Sequence, residues 1–289
     1  MESSNFIIKN ILESDERNKF ANIKIYGVDI TSEKLDEYIS DIVLNTKNLL
    51  YGFSIRSEIT KDLLISIYNR FIPQDIGSMG LDEYINLQTN PSFYSFLGEY
   101  LLCLVLKDVF NFVLSASVIN ITDTTFDNHT GVDGCFYDDN NKIIILGEAK
   151  FYKNIKQGLK QIKNDLSKND FSNKLMSLYA KATSNSESLR IIMQNLDINN
   201  YRELTFDDFT TLNLLFVGFV MHEDLKSTTP KELKDFADFD ASEILSNSSR
   251  LKLKTKNDYS LLIMNLPVKS KEELIKLVIN KAAALKRKL

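Results

Sequence analysis

The chain has 289 residues, 44% of them hydrophobic and 26% charged, with ten glycines, four prolines and two cysteines. This is a globular composition of a size that one large core or two closely packed ones can support, and it excludes disordered, collagen-like and disulfide-scaffolded chains. The net charge of −4 gives no overall attraction for nucleic acid, and the longest apolar run, residues 212–221, is too short to cross a membrane.

The start of the chain has no basic stretch followed by an apolar run, so no signal peptide is expected and the protein is read as soluble and cytoplasmic. Residues 1–90 read mainly as helix with some strand. Leu35, Ile39, Ile42 and Val43 mark one helical face, and residues 59–71 suggest a second helix ended by Pro73. Pro91 and Ser92 open a helix that is apolar nearly all round and therefore buried. Residues 112–120 are strand-like and 122–131 form a loop. Residues 132–137 and 142–150 read as the two strands of a hairpin turning at 138–141. A basic amphipathic helix follows over about 154–168, and residues 171–205 look helical and polar. A buried strand is expected at 212–222, an acidic and mostly helical stretch at 223–250, and a further strand at 259–268. Ser270 caps a final helix with Glu272 and Glu273 in its first turn and basic residues at its end. Cys103 and Cys135 lie in apolar runs and read as buried thiols. The order of elements predicts an α+β fold, a mixed central β-sheet flanked by helices, with residues 1–90 as a mainly helical N-terminal region and 91–289 as the main domain.

Charge is unevenly distributed. Residues 142–181 carry nine Lys/Arg against three Asp/Glu, and residues 250–289 carry eleven against three, while residues 1–140 carry ten against twenty-one. Local potential attracts phosphates, so two basic blocks in an acidic chain are candidate nucleic-acid contacts. Lys153, Lys156, Lys160 and Lys163 recur every three or four residues and form one ridge along the expected helix.

The chemistry concentrates in HTGVDGCFYDDNNKIIILGEAKFYKN, residues 129–154. With a turn at 138–141, Tyr137 faces Lys142 and Asp133 faces Leu146. Leu146, Glu148 and Lys150 then share a sheet face with Asp133, and Glu148 is its diagonal neighbour. Two carboxylates so placed suit a hard divalent cation such as Mg²⁺ or Mn²⁺, with the Ala149 carbonyl as a further oxygen ligand. Lys150 beside them can orient a water and stabilise charge on a reacting phosphate. His129, in the preceding loop, either touches substrate or braces the loop; His222 has no recognisable partner. Two other acidic-x-Lys triplets, beginning at Asp224 and Glu232, sit in polar, helix-prone sequence and read as solvated surface.

On Gly-Val-Asp-Gly at 131–134 and Glu-Ala-Lys at 148–150, at the end of an isoleucine-rich strand, the sequence resembles the PD-(D/E)xK nuclease superfamily. Val132 stands where that pattern usually has proline. The resemblance implies a restriction-endonuclease-like core, catalysis by Asp133, Glu148 and Lys150, and metal binding by Asp133, Glu148 and Ala149. It also implies a metal-holding role for Glu99 on the helix before the sheet, and a polar residue near the site on the following helix, Gln161 in preference to Gln157. HTGVDGCFYD followed by ILGEAKFYKN further resembles the HamA-like effector nuclease of the Hachiman antiphage defence system. That likeness implies a DNase of little sequence specificity, restrained by a superfamily 2-type helicase partner onto which the acidic N-terminal region can dock. A non-catalytic subunit that holds DNA or helicase, and a stand-alone restriction or repair nuclease, are the alternatives.

Overall fold

A computed structural model describes residues 7–18, 21–29, 60–72, 91–116, 133–138, 143–167, 213–223 and 259–289. In chain order these form β1 (Ile7–Asn18), β2 (Ala21–Asp29), α1 (Lys61–Arg70), α2 (Pro91–Phe110), β3 (Val113–Ala116), β4 (Gly134–Asp138), β5 (Ile143–Phe151), α3 (Ile155–Ser167), β6 (Asn213–His222), β7 (Tyr259–Pro267) and α4 (Lys271–Arg287). The expected helix at 33–52, the helical readings at 171–205 and, past Glu223, at 223–250, the loop at 122–131 with His129, and the triplets beginning at Asp224 and Glu232 lie outside the described residues.

The strands form one mixed sheet in the order β1-β2-β7-β6-β5-β4-β3. β2, β7, β6 and β5 are mutually parallel, whereas β1 and the β3-β4-β5 meander are antiparallel. This is the expected α+β architecture with helices on both faces. β5 and β6 are covered on both sides, which is why they read as nearly continuous apolar runs.

Glycines mark the two faces. A Cβ on Gly147 of β5 would meet Leu102 of α2 at 2.8 Å, and one on Gly98 of α2 would meet Ala149 at 3.7 Å. The odd-numbered residues of β5 therefore face α2, within a core that also takes in Phe136, Val217, Phe219, Met264 and the apolar side of α4. On the opposite face a Cβ on Gly158 of α3 would lie 2.4 Å from Val220, and one on Gly218 would lie 3.1 Å from Ile162. Glu148 pairs with Gly218 and Lys150 with Val220, so both project on the α3 face.

The hairpin register differs from expectation by two residues. Asp138 pairs with Ile143 and Gly134 with Gly147, in place of Tyr137 with Lys142 and Asp133 with Leu146. The observed register sets Phe136 beside Ile145, both fully buried; the expected one would have set Phe136 beside Ile143, which is only partly buried. A shift of two leaves each side chain on its expected face. It moves Asp133 from the diagonal of Glu148 to the position directly across from it.

β1 and β2 fall in the stretch read mainly as helix. The β1 ladder has register shifts between Asn10 and Leu12 and between Ser14 and Asn18. Such bulges break the two-residue alternation by which a strand is recognised. β2 pairs with β7, so the first thirty residues supply two strands of the sheet, on the edge away from β3.

Candidate active site at the open end of β5

β5 is longer than its antiparallel neighbour. The β4 ladder stops at the Gly134–Gly147 pair, and β5 continues to Phe151. Residues 148–151 thus have β6 on one side and, among the described residues, no strand on the other. Alternation along β5 decides which backbone groups face that open edge. The Tyr152 N–H donates to Met221 of β6, so even positions face β6 and Ala149 and Phe151 face outward.

Asp133 closes the first part of this edge. Its backbone N–H donates to the Gly147 carbonyl at 2.9 Å, and its Oδ2 accepts from the Ala149 N–H at 2.7 Å. The carboxylate lies in line with the sheet, where the next backbone carbonyl of β4 would have been. In a strand the carbonyl of a residue points to the same side as its N–H. The Ala149 carbonyl therefore lies on the same side as its N–H, beside Asp133.

Glu148 rises from the adjacent position onto the α3 face and is buried, as is Asp133. Lys150 Nζ lies 3.4 Å from Glu148 Oε2. From the other side of the sheet α2 contributes Glu99, also buried. Burial pushes the Asp133 carboxyl well above the usual carboxylate range, and the neighbouring Glu148 and Glu99 push it further; Lys150 and the Ala149 N–H only partly offset them. Cys103 lies one helical turn along from Glu99, and its thiol is raised by burial and by the same two carboxylates, Glu99 and Asp133. Glu148 and Glu99 thus both lie near enough to Asp133 to disfavour its charge, with Lys150 the opposing cation.

That donor set fits a small hard cation. Among the described residues no three His, Cys, Asp or Glu side chains already close on one point. A cation here would rest on Asp133 and Glu148 with the Ala149 carbonyl and water, the partial protein coordination that Mg²⁺ favours. Glu99 stands close enough to act electrostatically on Asp133.

The basic helix is placed beside this cluster. α3 starts four residues after β5 ends and is capped by Asn154, whose Oδ1 accepts from the Lys156 N–H at 2.8 Å. Ile155, Leu159 and Ile162 are buried against the sheet, while Lys153, Lys156, Gln157 and Lys160 are exposed. Lys163 continues the helix, its side chain being outside the described set. Gln161 is half-exposed, on the helix that covers the Glu148 face. His222 ends β6 and is fully buried. Sequence reasoning did not single out Lys271, which reaches this strand end from 120 residues away; no local pattern marks it. No helix among the described residues is long and apolar enough to cross a membrane.

No curated protein matches the chain. The HamA family model matches residues 4–282, nearly its whole length. The chain belongs to the HamA family and is a component of the Hachiman antiphage defence type.

Proposed function

We propose that the chain is a Mg²⁺-dependent DNase with a PD-(D/E)xK core, cleaving with little sequence specificity as the effector of its defence system. The observation that carries this reading is the hydrogen bond from the Ala149 N–H to Asp133 Oδ2. It sets one carboxylate at the strand edge that β4 leaves, beside the Ala149 carbonyl and next to Glu148 and Lys150. A plain surface ion pair between Glu148 and Lys150 would not require two more buried carboxylates alongside it, each costly to ionise.

In this reading Asp133, Glu148 and the Ala149 carbonyl hold the cation. When bound, it polarises the scissile phosphate and makes water more acidic. Lys150 offers its ammonium to the attacking water and to the charge growing on the phosphate oxygens. Lys153, Lys156, Lys160 and Lys163 follow the sugar-phosphate backbone away from the site, which gives affinity without reading bases. Glu99 supports the cation side of the cluster, Gln161 lies on the helix that covers the Glu148 face, and His129 remains a proposed substrate or loop contact from sequence alone. A helicase partner that restrains the nuclease completes the proposal, on the strength of the family membership.

Incubation of purified protein with plasmid and with single-stranded oligonucleotides, with Mg²⁺ and with chelator, tests it directly. Cleavage in Mg²⁺ that chelator abolishes is the expected result, in the free protein or after release from its partner. Affinity for DNA with no cleavage under either condition would replace the nuclease with a DNA-holding subunit.

A further inference from the structure

The open edge of β5 has a second occupant. Lys271, the first residue of α4, donates from Nζ to the Phe151 carbonyl at 2.8 Å, and its ammonium sits 4.8 Å from the centroid of the Phe151 ring. Phe151 faces the same edge as Ala149, two residues further on. Among the described residues, the edge left by β4 is met by two side chains, Asp133 on the Ala149 N–H and Lys271 on the Phe151 carbonyl, with the Ala149 carbonyl between them.

Lys271 is held from behind. Its backbone N–H donates to Glu223 Oε1 at 2.6 Å, and the Glu223 N–H donates to the Lys153 carbonyl at 3.0 Å. The Val268 N–H donates to the His222 carbonyl at 2.7 Å. These bonds tie the ends of β5, β6 and β7 to the starts of α3 and α4. The arrangement has an electrostatic cost: burial lowers the Lys271 pKa and nearby Lys153 lowers it further, while Glu223 opposes them. A leucine or methionine would pack against Phe151 without that cost.

We propose that Lys271 is a positioning residue of the candidate site. Its ammonium, bonded to the Phe151 carbonyl, fixes the four residues of β5 that run past β4, from which Glu148 and Lys150 project. The proposal rests on the nuclease reading for its consequence in catalysis, and on the bonds above for its effect on Lys150.

Two measurements separate the two layers. In protein labelled with ¹⁵N-lysine, the Lys150 ammonium signal is assigned by its loss in Lys150→Arg and followed in Lys271→Met, which keeps the apolar stem. The Lys150 signal is expected to shift or broaden. Single-turnover cleavage at saturating DNA is expected to fall roughly 10- to 100-fold, the scale of a small misplacement of a reacting group. DNA affinity in Ca²⁺ should stay within about twofold, and Lys271→Arg should recover most of the rate because a donor is restored. Glu223→Ala loosens the same clasp from its other end and should move the Lys150 signal in the same direction, which covers the case in which Lys271→Met folds poorly. An unmoved Lys150 signal in either variant overturns the proposal. So does a defect confined to DNA affinity, which would make Lys271 a phosphate contact. If the wild-type protein cleaves nothing, the nuclease reading fails, and the Lys150 signal still decides the role of Lys271.

Discussion

The two basic segments carry similar excess charge, yet the fold uses them differently. α3 and α4 both start at the ends of parallel strands near the Asp133–Glu148 cluster, and they run down opposite faces of the sheet. α3 has a single acid, Asp165, near its end, and its exposed lysines begin beside the site. α4 opens with Glu272 and Glu273. Lys276 pairs with Glu272 at 3.0 Å and Lys269 approaches Glu273 at 4.0 Å, which neutralises the end of α4 nearest the site. Apart from half-exposed Lys281, its remaining charge collects at Lys286, Arg287 and the adjoining Lys288, all exposed. Over 17 residues the helix carries that cluster roughly 25 Å from its start. In the proposed reading, charge along a sequence would serve as a substrate track only where the helix axis starts at the candidate site and the acids are elsewhere.

The largest effect that would break this comparison is at the site itself. Lys150→Ala should reduce Mg²⁺-dependent cleavage at least ~10²-fold with the fold retained, the scale for losing one stabiliser of developing charge. A folded variant that cleaves at the wild-type rate would remove the reference point from which the helices are compared. Next comes the track. On a Lys150→Ala background, Lys156→Ala/Lys160→Ala should lower the salt dependence of DNA affinity by about 2 in log–log slope. Lys286→Ala/Arg287→Ala/Lys288→Ala should leave it unchanged, and the reverse outcome would assign DNA to α4.

A smaller effect tests how α3 is seated. Gly158→Ala brings a Cβ within 2.4 Å of Val220, so the helix must lift from the sheet, at about 1–3 kcal/mol. Denaturant unfolding should show this loss, with a weaker track if the helix is displaced. The smallest effect concerns metal-free protein. The raised carboxyl of Asp133 contributes stability that is present below about pH 4, its unfolded value, and is lost as pH rises through the folded value. Chelated wild-type protein should therefore melt lower at pH 8 than at pH 5. Asp133→Asn should narrow that gap and melt a few degrees higher at pH 8. Mg²⁺ at pH 8 should raise the melting temperature of wild type and not of the variant.

Much of the site was legible locally. Asp133, Glu148 and Lys150 lie within 18 residues, and two-residue alternation puts the carboxylates and the lysine on one face in either register. The exact register was not legible, because local spacing allows Tyr137 or Asp138 to close the turn, and only burial of Phe136 against α2 selects between them. β1 was hidden by its bulges. Lys271 was hidden because no pattern in its own helix distinguishes it from the other lysines of the block.

By itself the sequence determined the identity of the described elements from α1 onward and the faces of the key strand, since periodicity, capping by Ser270 and the apolar run of α2 are properties of neighbouring residues. Only the tertiary structure decided that β5 outruns β4, that Asp133 fills the vacated hydrogen bond at Ala149, and that α4 sends one lysine to Phe151 and the rest of its charge away. Those outcomes depend on where strands far apart in the chain end against one another. Chain ends and overhangs are fixed by packing against the whole core, which no local stretch encodes.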